Sequence, residues 1–538
     1  MRKPDATSMS SMSPAASLAS RIARAVVIVA ATSLSLSACF PLTLLSQVSG
    51  ETSTPLPDGA PQGFEDYYSQ PIEWSFCGID VQCGTLSAPT DWSNPESVPI
   101  ELALTRHLAA SQPAVGDILV NPGGPGEAAA SFIRDSADRA VDAPVLETFN
   151  IVGLDPRGVG ASTPVRCFTD PADMDNSLYG IPDAQRNSID WNDAIVAKAT
   201  EFGAACQENT GELLGFVDTE SAARDMDMVR AALGNEKLNY LGYSYGTFLG
   251  AVYADLFPGR VGKMVLDGAV DPTATMDVSS EDQAIAFESA LNAYLAWCVD
   301  GGDCPLGDSV PEAAGSMTLL LSGVDAKPLV NSDGRLLGAD ALVTAIANTL
   351  YDDTAWPFLS DLLAGALDGN PAIAFESADA YNGRSADGTY VSNTTEAFIA
   401  INCADMPTDS PGTAAGDSGA LTSSEPASGT TSGNAPILGP YMTSTIDPCS
   451  TWPVSARGST RPLHADGAPD LLVIGTTNDP ATPYADAVSL SEQMSSAHLV
   501  TFDGEGHTAY NRGNTCINDI VNAYFLDGVI PPADVVCS

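Results

Sequence analysis

The chain has 538 residues, of which 44% are hydrophobic, and its formal net charge is −46. A surface this acidic excludes nucleic acid as a partner, because the phosphates would be repelled. We expect one large core domain with an insertion. The acidic residues either form an ordinary solvated surface or attract cationic substrates.

The first 38 residues have the pattern of an export signal. Basic residues precede an apolar stretch, 25–36, that is shorter than a membrane-spanning helix. It ends in Leu36-Ser-Ala-Cys39, which resembles the lipobox of bacterial lipoproteins, where the cysteine is lipidated; plain secretion with an incidental cysteine is the alternative. We therefore expect a flexible tether over 39–69 and a lipid anchor at Cys39 on the outer face of the cell membrane, or release from the cell.

The number of cysteines independently indicates export. Ten remain when Cys39 is set aside, which is compatible with five disulfides. The sequence leaves their connectivity open, and pairing in chain order would give Cys77–Cys83, Cys167–Cys206, Cys298–Cys304, Cys403–Cys449 and Cys516–Cys537. Since no Cys-x-x-Cys occurs and only four histidines are present, we predict no metal site and no cofactor.

Short β-rich stretches alternate with helical ones, which predicts a mostly parallel sheet with helices on both faces. A helix is predicted over 221–233, beginning at Asp218-Thr219, because its apolar residues recur at helical spacing. The predicted strands are 117–120, 150–154, 238–241, 263–266, 470–474 and 497–502.

The strand pattern stops after Asp267 and returns at Leu471, and the residues between them are helical in character. An insertion between two strands of one sheet explains this better than a separate tandem domain. We therefore predict a first core segment (70–270), a mainly helical cap (271–450, with a low-complexity loop near 408–436) and a second core segment (451–538).

The most informative motif is Gly242-x-Ser244-x-Gly246, which lies between an apolar strand and a helical stretch. Flanking glycines allow the strand and helix to pack closely while the hydroxyl projects outward, as in a nucleophile elbow. A serine hydroxyl is a weak nucleophile at neutral pH, so it needs a base and donors for an oxyanion. We predict Ser244 as the nucleophile.

A glycine-rich turn, Asn121-Pro-Gly-Gly-Pro-Gly126, follows the predicted strand at 117–120. Gly123 and Gly124 keep the amide donors that the prolines lack. Together with the amide of Tyr245, one of these glycines would hold an oxyanion, and we favour Gly124. The alternative is an ordinary turn.

Two segments late in the chain would complete the site. Asp479 follows the strand at 470–474, where a carboxylate can orient an imidazole; its neighbour Asn478 has no charge, and an ordinary Asp-Pro turn is the alternative. His507 follows the strand at 497–502. The chain order Ser244, Asp479, His507 is the one expected for this architecture, which favours His507 over the other three histidines, His107, His464 and His498.

Taken together, these segments resemble the secreted tripeptidyl aminopeptidases of actinobacteria, a branch of the α/β-hydrolase superfamily related to proline iminopeptidases. The resemblance covers most of residues 70–538, including the cysteine layout. It implies an α/β-hydrolase fold, catalytic roles for Ser244, Asp479 and His507, and removal of tripeptides from free N-termini through an acyl-enzyme. Besides the glycine-rich turn, the matching stretches are Gly153-Leu-Asp-Pro-Arg-Gly-Val-Gly160, Ala223-Arg-Asp-Met-Asp227, Asn239-Tyr-Leu-Gly-Tyr-Ser-Tyr-Gly246, Asp479-Pro-Ala-Thr-Pro483 and Gly506-His507.

One departure from that family is Glu127, where small residues are usual; it would cap a helix or, as the alternative, bind a substrate amine near the cleft. An aminopeptidase needs an anion for the α-ammonium group, and nothing in the sequence chooses among Glu281, Asp282 and Glu288 of the cap. We expect a monomer acting on peptides with free N-termini. The alternatives are a carboxylesterase or lipid-ester hydrolase on the same fold and an inactive binding lipoprotein.

Overall fold

The computed structural model describes residues 51–406, 431–443, 447–458, 460–533 and 535–538. The predicted signal, Cys39, the first part of the predicted tether and residues 408–430 of the predicted loop lie outside these ranges. Within them, no helix combines the length and apolarity needed to cross a membrane. The same residues contain no cluster of three or more His, Cys, Asp or Glu side chains suited to a metal ion.

Most of the strands belong to one twisted sheet at the centre of the fold. In chain order the strands are β1 (Ser75–Gly78), β2 (Val81–Pro89), β3 (Pro99–His107), β4 (Asp117–Asn121), β5 (Asn150–Leu154), β6 (Leu238–Tyr243), β7 (Val261–Asp267), β8 (Leu329–Val330), β9 (Leu336–Leu337), β10 (Leu471–Asn478), β11 (Ala497–Glu505) and β12 (Val535–Cys537). Ten of them form the sheet in the order β1-β2-β3-β5-β4-β6-β7-β10-β11-β12, and β8 pairs with β9 in a separate hairpin.

The sheet is parallel from β5 to β12 and antiparallel from β1 to β5. The six predicted strands are confirmed as β4, β5, β6, β7, β10 and β11. The first five are largely buried, which is typical of parallel strands covered on both faces, whereas β11 is mostly half-buried. Strands β1 to β3 and β12 were not predicted. Strand β1 is exposed along its length and β12 has only 3 residues, so neither gives a clear strand signal.

Helices cover both faces of the sheet. Those of the two core segments are α1 (Glu65–Tyr68), α2 (Ala129–Ala140), α3 (Ala143–Thr148), α4 (Pro171–Tyr179), α5 (Ile189–Thr210), α6 (Thr219–Ala232), α7 (Tyr245–Leu256), α16 (Tyr484–Gln493) and α17 (Thr515–Asp527). The predicted start of α6 is confirmed, because the Asp218 carboxylate accepts a hydrogen bond from the Ser221 amide at 2.9 Å.

The described residues between β7 and β10 are mainly helical, as the sequence predicts. Their helices are α8 (Met276–Asp300), α9 (Val310–Ala326), α10 (Ala339–Leu350), α11 (Trp356–Leu367), α12 (Ala372–Tyr381), α13 (Thr394–Asp405), α14 (Thr431–Asn434) and α15 (Gly439–Met442). Leu291, Leu342 and Leu363 are fully buried in an apolar cluster of these helices, separate from the clusters on the sheet. The insertion therefore has a core of its own.

Covalent and ionic links brace the core. Ten cysteines pair in chain order, as Cys77–Cys83, Cys167–Cys206, Cys298–Cys304, Cys403–Cys449 and Cys516–Cys537. Arg157, just after β5, is completely buried and donates two hydrogen bonds of 2.7 Å to the Asp225 carboxylate on α6. This paired geometry ties the end of β5 to the helix that precedes the nucleophile strand.

Candidate active site

Ser244 occupies a strained turn between β6 and α7. Its backbone has φ 55° and ψ −127°, a conformation that a residue with a side chain rarely adopts. A Cβ atom on Gly242 would lie 2.3 Å from the Gly246 carbonyl oxygen, and one on Gly246 would lie 2.8 Å from the Asn121 carbonyl oxygen. Both glycines of the motif are therefore required by close backbone packing, as a nucleophile elbow demands.

Asp479 and His507 form a hydrogen-bonded pair at the same edge of the sheet. Asp479 directly follows β10, and His507 lies two residues after β11. The His507 Nδ1 atom is 2.9 Å from each carboxylate oxygen of Asp479. Asp479 is buried, so this carboxylate is well placed to fix the imidazole tautomer and leave Nε2 as the proton acceptor.

The His507 ring is close to Gly268, and the residue before Gly268 is hydrogen-bonded to the elbow. The Ser244 amide donates to the Asp267 carbonyl at 2.9 Å, and a Cβ atom on Gly268, the next residue, would lie 3.2 Å from His507 Cε1. No hydrogen bond joins Ser244 Oγ to His507 within the described part of the chain. Such catalytic hydrogen bonds are often long without substrate and shorten in the reacting complex.

The other candidate side chains do not take the place of Asp479 or His507. His464 Nδ1 lies 3.1 Å from the Gln493 carbonyl, and His498 Nε2 lies 2.8 Å from the Asp470 carboxylate. His107 pairs with Ile151 near the amino end of β5, whereas the elbow lies at the carboxyl ends of the parallel strands. Asn478 accepts a hydrogen bond from Ser289 and donates one to Glu505, so it does not orient His507.

The glycine-rich turn packs directly on the elbow. A Cβ atom on Gly123 would lie 2.8 Å from Ser244 Cβ and 3.3 Å from the Tyr245 nitrogen. The Gly123 amide is already used, donating to Asn121 Oδ1 at 2.9 Å. Among the described residues, the amides of Gly124 and Tyr245 have no acceptor. Both predicted oxyanion donors are therefore available to a ligand, one on the turn and one at the first residue of α7.

The favoured prediction for Glu127, a helix cap, is wrong. Helix α2 begins after Ala128, and no side-chain cap hydrogen bond forms there. Instead the Asp155 carboxylate accepts from the Ala130 amide at 2.7 Å and satisfies the first turn of the helix. The Glu127 carboxylate has no hydrogen-bond or ion-pair partner among the described residues.

Of the three acids of the cap that the sequence left open, Glu288 has a structural role. Its carboxylate accepts from the amides of Ile437 and Leu438 at 2.8–3.2 Å. Glu281 and Asp282 lie on the same helix, α8. This helix contacts the segment after Asp479, because Gln283 donates to the Ala481 carbonyl at 2.9 Å.

Sequence reasoning missed three residues that hold the histidine. Asp267 is completely buried and accepts from the amides of Ala509 and Tyr510, and burial raises its pKa to about 6. Thr482 donates to Asp479 at 3.0 Å, and the Tyr351 carbonyl accepts from the His507 amide at 2.8 Å. Only Asp267 left a signal in the sequence, as a carboxylate ending the strand beside the nucleophile strand.

Comparisons with known proteins cover most of the chain. A family model described as "TAP-like protein" matches residues 435–537. Serine protease Hip1 of Mycobacterium tuberculosis is 35% identical over 501 residues, covering 88% of this chain and 92% of that protein. Carboxylesterase B of the same species is 39% identical over 470 residues, covering 85% and 86%. The tripeptidyl aminopeptidase of Streptomyces coelicolor is 32% identical over 482 residues, covering 87% and 86%.

Proposed function

We propose a peptidase function for this chain, which belongs to the tripeptidyl aminopeptidase-like family of α/β-hydrolases and is a serine hydrolase. Its specific activity is the release of tripeptides from free N-termini. The choice of a peptide substrate rests on the similarity to serine protease Hip1 and the tripeptidyl aminopeptidase. The chemistry rests on the Asp479–His507 pair, with Nδ1 2.9 Å from the carboxylate, beside a serine on a strained elbow. That arrangement suits acyl transfer.

In the proposed mechanism, Ser244 Oγ attacks the carbonyl carbon of the scissile bond while His507 Nε2 takes the hydroxyl proton. Asp479 stabilises the imidazolium that forms. The amides of Gly124 and Tyr245 donate to the oxyanion. His507 then gives its proton to the leaving amine, the C–N bond breaks, and an ester on Ser244 remains. Water, deprotonated by the same histidine, attacks that ester and restores the hydroxyl.

The helical insertion, proposed to be a cap over residues 271–450, would decide which chain ends reach Ser244. Near the glycine-rich turn and the histidine lie Tyr351, the residue after α10, together with Tyr381 of α12 and Thr394 of α13. Two core segments, 70–270 and 451–538, would supply the chemistry.

A single assay set tests the proposed activity. Turnover of Ala-Ala-Ala-p-nitroanilide is compared with its N-acetyl form and with p-nitrophenyl acetate, using Ser244→Ala as the matched control. The proposal predicts rapid release from the free tripeptide, a large loss on acetylation and loss of nearly all turnover in Ser244→Ala. Equal rates on blocked and free peptides would contradict an aminopeptidase.

A carboxylesterase is the second candidate, favoured by one specific observation, the 39% identity to carboxylesterase B. Ester and peptide hydrolysis share the same acyl-enzyme, so the site residues do not separate them. Turnover of p-nitrophenyl acetate without any release from the tripeptide anilide would establish this alternative.

The proposed location is the outer face of the cell membrane, through a lipid on Cys39. Its support is the signal-like sequence of residues 1–38, the lipobox-like Leu36-Ser-Ala-Cys39 and five disulfides, which persist in oxidising compartments. Replacing Cys39 by alanine should move the protein from the membrane fraction into the medium. An unchanged membrane fraction would contradict lipid anchoring.

A further inference from the structure

Glu127 occupies an unusual position, on the turn that carries a candidate oxyanion donor. A Cβ atom on Gly124 would lie 3.6 Å from Glu127 Cγ, and the Glu127 amide donates to the Gly123 carbonyl at 3.3 Å. Gly123 in turn contacts Ser244. The same turn thus connects Glu127 to the glycine that packs on Ser244.

The surroundings of Glu127 belong to the cap. Helix α13 covers the turn, since a Cβ atom on Gly126 would lie 2.6 Å from the Thr394 carbonyl oxygen and 3.0 Å from the Phe398 nitrogen. Burial raises the pKa values of Tyr351 and Tyr381, and the negative charge of Glu127 adds to both shifts, which places all three side chains in one region. Tyr351 also stacks edge-on against His507, with ring centroids 5.3 Å apart.

No cation balances this charge in the described part of the chain. Glu127 takes part in no ion pair there, and its side chain remains accessible. The surrounding protein nonetheless withdraws the carboxyl from bulk water and raises its pKa. An acid that is accessible but partly withdrawn from bulk water attracts an ammonium group more strongly than a fully hydrated one.

We propose that Glu127 binds the α-ammonium group of the peptide substrate and makes the site selective for free N-termini, an inference that rests on the proposed peptidase function. Three extended residues span about 10 Å. The proposal places the third carbonyl on Ser244, between the amides of Gly124 and Tyr245, so that this length separates it from the first nitrogen at Glu127. The turn would then position the oxyanion and measure the length of the released peptide.

The test compares kcat/KM of the wild type, Glu127→Gln and Asp282→Asn on free and N-acetylated Ala-Ala-Ala-p-nitroanilide. The expected result is a strong preference of the wild type for the free peptide, reduced by about 10- to 100-fold in Glu127→Gln, as for loss of a charge-assisted hydrogen bond. Asp282→Asn, the matched removal of an acid from the cap, should keep the wild-type preference. The ratio within one variant does not depend on its folded fraction.

Three results would overturn the proposal. The first is an unchanged preference for the free peptide in Glu127→Gln, which leaves the peptidase function standing. The second is loss of the preference in Asp282→Asn alone, which places the ammonium site on α8. The third is cleavage of acetyl-Ala-Ala-Lys-p-nitroanilide by the wild type as fast as the free peptide, which assigns the ammonium to a lysine side chain. A wild type that cleaves only p-nitrophenyl acetate overturns the proposed function together with this inference.

Discussion

Replacing Asp479 by asparagine should inactivate the enzyme and also destabilise it. The carboxylate accepts from His507 Nδ1, from the amides of Ala481 and Thr482 through Oδ1, and from the amide of Thr508 and the Thr482 hydroxyl through Oδ2. Every one of these neighbours presents a hydrogen to the carboxylate. An asparagine can offer only one acceptor oxygen to this shell.

Either orientation of the new amide places its NH₂ group against a backbone donor. One buried N–H then loses its acceptor, which costs about 1–3 kcal/mol of unfolding free energy. The new NH₂ group also replaces one of the two oxygens that face His507 Nδ1. An NH₂ group donates to Nδ1 and therefore favours the tautomer protonated at Nε2. That tautomer cannot accept the Ser244 proton, and comparable substitutions in serine hydrolases lower kcat by about 10⁴-fold.

The assay is turnover of p-nitrophenyl acetate together with the rate of Ser244 labelling by a fluorophosphonate, both of which report the nucleophile whichever substrate is natural. Asn478→Ala is the control, because Asn478 bonds Ser289 and Glu505 and not the histidine. If Asp479→Asn keeps more than about a tenth of wild-type turnover, the assignment of Asp479 as the orienting acid is refuted.

Three further predictions concern the elbow, the histidine loop and the core. Gly242→Ala should destabilise the protein and abolish labelling of Ser244, because its methyl group would lie 2.3 Å from a backbone oxygen; melting and labelling experiments test this. Asp267, with a pKa raised from 3.8 to about 6, binds its proton more tightly in the folded state, so its contribution to stability declines as pH rises from about 4 to 6. Relative to Asp267→Asn, the wild type should lose about 3 kcal/mol of unfolding free energy over that range, and a constant difference in urea titrations would contradict the sign. Arg157→Met leaves the buried Asp225 carboxylate without its cation, so we expect the free energy of unfolding to fall by about 3–5 kcal/mol. An unchanged urea midpoint would argue against a structural ion pair.

The sequence predicted the parts of the fold whose signals are local. Strands β4, β6 and β10 are apolar on both faces, and each is followed by a polar segment with a defined turn chemistry. Their carboxyl ends necessarily meet at one edge of a parallel sheet, so Ser244, Asp479 and His507 were brought into one region by topology. The antiparallel strands β1 to β3 lacked such a marker.

The parts that were missed or misassigned depend on contacts between distant segments. The Asp267 carboxylate holds the segment after the histidine by accepting from two amides, 242 and 243 positions away in the chain. The Tyr351 carbonyl holds the His507 amide through one backbone hydrogen bond between distant segments. Glu127 was expected at a helix start because an acid there is common, whereas the tertiary fold supplies Asp155 from another strand for that purpose. Neither outcome has a periodicity or a motif that reveals it in advance.

Asp155 takes the helix-start role that was predicted for Glu127, and this links the fold to the proposed specificity. Asp155 accepts from the Ala130 amide in the first turn of α2, and the Glu127 carboxylate has no hydrogen-bond or ion-pair partner among the residues that the structure describes. Glu127 lies in the same region as Tyr351 and Tyr381. A family member with a small residue at this position keeps the elbow, the acid and the base but lacks this anion. Placing glutamate at that position in such a relative should therefore raise its preference for free over acetylated N-termini while leaving the order of the catalytic steps unchanged.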